Sequence, residues 1–268
     1  VTGVNVMVLP VARATRLCGN IQLPELLEII KTYRFRRLSK GVTGGSASGG
    51  SMNGYKLIVG SKNYSSWSLR GWLSMRQSGA TFEEIFIPFH TEERGELIRK
   101  HSPSGLVPVL LDGDLLINDS LAIAEYLAEQ HPTAGLWPDD PTARAVARAA
   151  AAEMHSGFGA LRSALPMNFR LVREGPERSA EVNADVQRIE DVWRNCRSRF
   201  AQAGPFLFGD FCTADAMYAP VVSRLRTYSV DVAADSQAYM DAVWAHPWMV
   251  EWGKAAATEP AIEKYDAI

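Results

Sequence analysis

Three hydroxyl side chains stand in a row at Tyr64, Ser65 and Ser66, between a short apolar run and a stretch with helical spacing. A hydroxyl at the start of a helix can donate a hydrogen bond to an anion, and the helix N-terminus adds partial positive charge. A free thiol titrates near about 8.5, so little of it is thiolate at neutral pH unless such a site lowers that value. Ser65 occupies the point where strand gives way to helix and is the first candidate for this work, with Tyr64 and Ser66 as rivals. The plainer reading is that Ser65 and Ser66 only cap the helix.

Two further spots suit ligand binding. Val107-Pro108 opens an apolar run, where proline is tolerated at a strand's start or edge. A cis peptide there would present the Val107 N–H and C=O to an extended ligand, which would add like a short strand; the plainer reading is an edge-strand proline. Asp119-Ser120 precedes a stretch with helical spacing. Free N–H groups at a helix start bind carboxylates, and the Ser120 hydroxyl adds a donor; otherwise the pair is a cap.

Other chemistry finds less support. His90, His101, His131, His155 and His246 show no HxxxH or HExxH spacing, so no metal site is expected. Three scattered cysteines make neither a disulfide framework nor a zinc site and favour a reducing, cytoplasmic setting. Cys196 falls on an apolar stripe and reads as a core thiol. Arg94, Glu96 and Lys100 read as a solvated helix face, and Ser102 as a turn residue. With 47% hydrophobic and 22% charged residues the chain can bury a core, and a net charge of −2 does not point to nucleic acid. No apolar run reaches the length of about 18 residues that a membrane helix needs.

The elements that must position these residues read as two halves after Met52. Tyr55–Val59 is a strand ending at Gly60, residues 66–78 a helix stopped by Gly79, and Phe82–Pro88 a second strand. Residues 92–100 are helix-like, Val107–Leu111 and Leu115–Ile117 are strands around the turn Asp112-Gly113-Asp114, and Ser120–Gln130 is a helix. The order is β-α-β-α-β-β-α over residues 52–131. A Pro- and Gly-containing linker spans 132–141, and strand signals fade beyond it. Ala143, Ala147, Ala150, Met154 and Leu161 form one apolar stripe, and Val182, Val186, Ile189, Trp193 and Phe200 another. Residues 142–268 therefore read as a helical bundle.

Residues 1–51 differ in character, with seven basic and two acidic side chains and a Gly/Ser stretch at 44–51. The expectation is an extension outside the functional domain, with Met52 the natural start. A targeting peptide and a basic amphipathic arm over Pro24–Leu38 are the competing readings.

Taken in order and spacing, Asn63-Tyr64-Ser65-Ser66-Trp67-Ser68-Leu69-Arg70, Leu106-Val107-Pro108 and Asn118-Asp119-Ser120-Leu121-Ala122-Ile123-Ala124-Glu125-Tyr126-Leu127 resemble the glutathione transferase family over nearly all of 54–268. The Ser65–Arg70 segment looks most like the serine motif of the zeta class, and Ser65 stands 14 residues before Gly79, a spacing similar to that class. The resemblance implies an N-terminal thioredoxin-like domain followed by a helical C-terminal domain, a cytoplasmic detoxifying homodimer, and glutathione as co-substrate without metal. It implies Ser65 as the group that stabilises the thiolate. Cis Val107-Pro108 would pair with the cysteinyl backbone, Ser120 would bind the γ-glutamyl carboxylate and Asp119 the γ-glutamyl ammonium. Asp119 is shorter than the family's usual Glu or Gln. No cysteine stands at the motif, which disfavours the mixed-disulfide chemistry of omega-like members.

Gly209–Asp215 resembles the family's helical folding motif, but Cys212 takes the place of its Ser or Thr cap, and Asp215 reads as structural. A small, largely apolar electrophile is expected between the halves. Met154, Phe158, Met167, Asn168, Phe169 and Arg170 are possible liners or simply core, and Tyr64 is a further candidate. Two other functions compete. One is a maleyl-type cis–trans isomerase, for which Arg170 and Arg173 are the obvious basic groups. The other is a non-catalytic binding module on the same fold.

Overall fold

A computed structural model of the chain describes residues 54–201 and 204–267; the basic segment 1–51 and Met52 lie outside the described residues. The first half is a four-stranded sheet. Strands β1 (Tyr55–Gly60), β2 (Phe82–Ile87), β3 (Val109–Asp112) and β4 (Leu115–Asn118) lie in the order β2-β1-β3-β4. β1 runs parallel to β2 and antiparallel to β3, and β4 returns antiparallel on β3. This is the thioredoxin-like arrangement. β3 begins at Val109, two residues later than the sequence suggests. Pro108 has no N–H for the ladder, so pairing with β1 starts at Ile58 and Val109.

Helix α1 (Ser66–Gln77) follows β1, α2 (Arg94–His101) follows β2, and α3 (Ser120–Gln130) follows β4. Gly79, at φ 71°, supplies the left-handed residue that ends α1. The helical half comprises α4 (Pro141–Ser156), α5 (Gly159–Ala164), α6 (Ala180–Phe200), α7 (Thr213–Thr227), α8 (Ala234–Trp244), α9 (Pro247–Ala257) and α10 (Glu263–Asp266). Asp140 starts α4 by accepting a hydrogen bond from Ala143 N–H at 2.7 Å, with Pro141 in the first turn. The apolar stripe from Ala143 to Leu161 proves to be two helices. The chain breaks at Gly157-Phe158, where Phe158 takes a left-handed φ of 57° and turns its ring into the core. Val182, Val186, Ile189 and Trp193 of α6 are buried as expected, while Phe200 is half-buried at the helix end. Cys196 is buried and burial pushes its thiol up to about 11, which makes it an inert core group.

One apolar core runs through both halves. It joins Leu69, Trp72 and Leu73 of α1 to Met217, Val221 and Val222 of α7 and to Trp252 of α9. The rings of Trp72 and Trp252 stand 5.3 Å apart. Ile58, Ile87 and Val109 form a smaller cluster with Ile98 of α2. α1 is thus the element shared by both cores' surroundings: it packs on α3 and on α7. Among the described residues no helix is long and apolar enough to cross a membrane.

The buried helix α7 is fixed at its start by Asp215. Its carboxylate accepts from Cys212 N–H at 3.0 Å, Leu207 N–H at 3.1 Å and the Tyr239 hydroxyl at 3.1 Å. The Cys212 sulfur stands in the capping-box position but makes no cap hydrogen bond, so the start of α7 rests on the Asp215 carboxylate. Burial pushes the Asp215 carboxyl up to about 6 against the pull of its three donors. Asp215→Ala should lower stability by about 3 kcal/mol, because three buried donors lose their acceptor. A carboxyl whose folded-state pKa is raised stabilises most below its unfolded value. The wild type's advantage should therefore be largest near pH 4 and shrink as pH rises to about 6. Thermal unfolding of both proteins from pH 4 to 7 measures this.

Candidate functional site

The loop Ser61–Ser65 carries the chain from β1 into α1. Ser65 caps α1, its Oγ accepting from Ser68 N–H at 3.3 Å and donating to Ser68 Oγ at 2.7 Å. Ser68 Oγ also accepts from Gly60 N–H at 2.9 Å. Ser65 is therefore both a cap and a hydroxyl with a proton to give. Ser68 stands behind it as a second hydroxyl that can donate in return if the Ser65 proton turns elsewhere. Ser66, the first residue of α1, is buried. Tyr64 is spoken for: its hydroxyl donates to Asp266 Oδ1 at 2.9 Å and accepts from Ile262 N–H at 2.9 Å and Arg170 Nη2 at 3.3 Å.

The Val107–Pro108 peptide is cis, as the resemblance implies. Pro108 and Val107 line a cavity of about 260 Å³ together with Trp67, Leu106, Asn118, Asp119 and Ser120. α1 passes this wall closely because residue 71 is glycine. A Cβ there would lie 2.8 Å from Pro108 Cγ.

At the far side of the cavity, Asp119 holds a positive φ of 84°, a costly conformation for a residue with a side chain. Its Oδ1 accepts from Leu121 N–H at 2.8 Å and Ala122 N–H at 3.4 Å, so it caps α3. Its Oδ2 meets His155 Nε2 at 3.1 Å. The Ser120 hydroxyl is fully buried and has no partner among the described residues. A buried hydroxyl without a partner costs free energy that an acceptor in the cavity would restore. The cap reading of Asp119 is what the structure shows, and the unpartnered Ser120 hydroxyl leaves room for a ligand there.

Sequence reasoning missed four contributors. His155 comes from α4, 36 positions beyond Asp119, and packs edge-on against Trp67 at 5.0 Å. Ser68 lies inside the motif, but its type and position alone give it no role. Arg70 is buried, with its guanidinium carbon 4.5 Å from the centre of the Trp67 ring, and Arg162 approaches the same ring at 5.1 Å. Burial, then Arg162 and Arg224, push Arg70 down to about 9. Two guanidiniums against the Trp67 ring, which lines the cavity, add positive potential there.

The expected electrophile liners have other duties. Met154, Phe158, Met167 and Phe169 are buried in the shared core, and Phe169 stacks on Trp244 at 4.5 Å. Asn168 is buried and hydrogen-bonded to Asn63 at 2.8 Å. Arg170 Nη1 donates to the Glu259 carbonyl. Arg94 leaves its solvated face to donate to the Tyr265 hydroxyl at 3.2 Å. Among the described residues no group of three or more His, Cys, Asp and Glu is placed to hold a metal ion.

The family described as "Glutathione S-transferase, N-terminal domain" matches residues 64–130. Similar curated proteins include a probable maleylacetoacetate isomerase of Caenorhabditis elegans, 32% identical over 187 residues, which span 68% of this chain and 85% of that protein. Glutathione S-transferase Z2 of Arabidopsis thaliana is 35% identical over 170 residues, covering 59% of this chain and 75% of the relative. Among solved structures, a glutathione transferase homolog from Burkholderia with bound glutathione superposes with a TM-score of 0.58 at 23% identity, over 76% of this chain and 97% of that one. Glutathione transferase Omega 2S from Trametes versicolor gives 0.61 at 20% identity, over 80% and 99%. These structures agree with the fold described above.

Gly71→Ala should push α1 off Pro108 and distort the cavity wall. A loss of about 1–3 kcal/mol in stability is expected from overpacking, together with weaker glutathione binding. Calorimetric unfolding and glutathione titration of the variant measure both, and unchanged values would show that the wall is not set by this approach.

Proposed function

The chain belongs to the glutathione S-transferase family and is a glutathione transferase; we propose that Ser65 activates the bound thiol for attack on a small, largely apolar electrophile. The observation that carries this is the Ser65 hydroxyl at the start of α1, backed by Ser68 Oγ at 2.7 Å. When the Ser65 proton turns to a ligand sulfur, Ser68 can donate to Ser65 Oγ while keeping its bond from Gly60 N–H. The paired hydroxyls and the helix N-terminus together favour thiolate over thiol. In this reading the cis Val107–Pro108 segment pairs with the cysteinyl backbone. The unpartnered Ser120 hydroxyl takes the γ-glutamyl carboxylate, and Ser66 supports it from the start of α1. The Asp119 carboxylate, shared with His155, faces the γ-glutamyl ammonium. The field of Arg70 and Arg162 favours both anionic ends of the ligand.

Lowering the thiol pKa by one unit amounts to about 1.4 kcal/mol. Ser65→Ala should raise the pKa of bound glutathione by about one unit or more and reduce kcat/KM about a hundredfold near pH 6.5. Ser68→Ala should give a smaller loss, about tenfold, because one supporting hydrogen bond goes. Thiolate absorbance against pH on the two variants tests the order. Unchanged pKa in Ser65→Ala would reduce Ser65 to a helix cap and favour the binding module.

The isomerase reading has one specific support, the C. elegans relative whose name says maleylacetoacetate isomerase. Turnover of maleyl-type dicarboxylates separates it from generic transfer. We further propose a cytoplasmic homodimer with a detoxifying role. Sedimentation at micromolar concentration should show the dimer, and a monomer there would refute it.

A further inference from the structure

The loop that leads to Ser65 is gripped from the helical half by a polar chain whose direction is fixed. Asn63 Oδ1 accepts from Arg170 N–H at 3.0 Å, so Asn63 Nδ2 must face the other way, and it donates to Asn168 Oδ1 at 2.8 Å. The Asn168 amide is thereby oriented with its NH₂ outward. That NH₂ donates to Asp266 Oδ1 at 2.6 Å. The same oxygen accepts from Tyr64 Oη at 2.9 Å, and Arg170 Nη2 stands 3.8 Å from Asp266 Oδ2. Asn63 and Asn168 are almost wholly buried, at 0% and 2% exposure, so the Asn168 donor is rigid. An amide N–H, a phenol and a guanidinium converge on one carboxylate, immediately beside the residue proposed to activate the thiol.

The carboxylate belongs to α10, a helix of four residues with no buried side chain. Apart from Asp266, α10 and its approach are held by the Ile262 N–H on Tyr64 Oη, by Tyr265 against the Tyr64 ring at 5.1 Å, and by the Arg94–Tyr265 hydrogen bond. Little apolar burial opposes its release. Its polar contacts are harder to abandon, because the Asn168 donor would be left unpaired. A ligand that brings its own carboxylate removes that obstacle; a neutral one does not.

We propose that Asn168, Tyr64 and Arg170 form a carboxylate-binding site that Asp266 fills as an internal placeholder, and that the second substrate carries a carboxylate and binds by displacing α10. The part concerning the second substrate rests on the transferase reading above. Displacement exchanges one carboxylate for another on the same donors, so the site selects for an anionic group, and the partial exposure of Asp266 and Arg170 leaves it open to an incoming one. The Arg170 guanidinium, freed from Asp266, pairs with the incoming group.

The test compares full-length wild type, Asp266→Ala and Asp266→Asn, the last keeping the side chain's size. With glutathione, the probes are 4-chloro-3,5-dinitrobenzoate and its methyl ester, which removes the charge and adds one methyl group. Removing the placeholder should lower KM for the benzoate about fivefold or more and leave KM for the ester within about twofold, with kcat little changed. Benzoate binding is measured separately by calorimetry without glutathione. It should tighten by a similar factor in both variants, and Arg170→Gln in the Asp266→Ala background should abolish the gain. Equal shifts for acid and ester, or benzoate affinity that ignores Asp266, would make the contact a mere latch and overturn the inference, whatever the turnover. A benzoate gain that depends on Arg170, with neither electrophile turned over, would uphold the site and count against the transferase reading instead.

Discussion

The buried amide of Asn63 ties the two halves together at the point where the chemistry is placed. It bonds to Asn168 and to the Arg170 backbone, while its own carbonyl accepts from Phe169 N–H at 3.0 Å. Lys62 and Asn63 N–H groups both meet the Glu259 carboxylate, whose pKa burial raises, and Trp252 Nε1–H donates to the Lys62 carbonyl at 2.9 Å. A loop of five residues is thus held by side chains and backbone from the α5–α6 connection, from α9 and from the chain's end. Loops are ordinarily the mobile part of a fold. This one is fixed from several sides, which holds the backbone that leads to Ser65 at the start of α1.

The sheet half was legible because its signals are local. The Asp112-Gly113-Asp114 turn needs a left-handed glycine, and Gly113 has φ 58°. Ser65 capping α1 and Asp119 capping α3 follow from residue type just before an apolar periodic run. The proline that opens a strand was read from the same logic, with only the strand's first residues misplaced. The helical half was read as stripes, and stripes do not reveal a break. Phe158 in a left-handed conformation has no propensity signal, since a bulky side chain disfavours it. Flanking glycines at 157 and 159 were the one available hint.

What stayed illegible is long-range and polar. Tyr64 and Arg170 were singled out as groups free to meet a substrate, yet both hold residues near the chain's end, Tyr64 across about 200 positions of sequence. Asn63 and Asn168 are 105 positions apart. Apolar periodicity carries no information about which amide finds which. Asp119 shows the same limit on a smaller scale: its type predicts a cap, and only the fold brings His155 to its second oxygen.

Local donors and distant charge divide the work in the cavity. In the proposed reading, Ser120 and the backbone at Val107 in the cavity wall, with Ser65 at the start of α1, would determine where an atom of the ligand sits, because hydrogen bonds are directional. Arg70 and Arg162 are not among the residues that line the cavity; they lie against the ring of Trp67, which does. Arg70 Nε and Nη1 have no partner among the described residues, and a buried guanidinium in that condition is costly. Its retention makes physical sense if its field acts on something negative nearby. In a low-dielectric seam between two packed halves that field is weakly screened. A thiolate at Ser65 and a carboxylate at Ser120 would both feel it. In the proposed reading the arginines would thus supply the sign of the site and the hydroxyls its geometry.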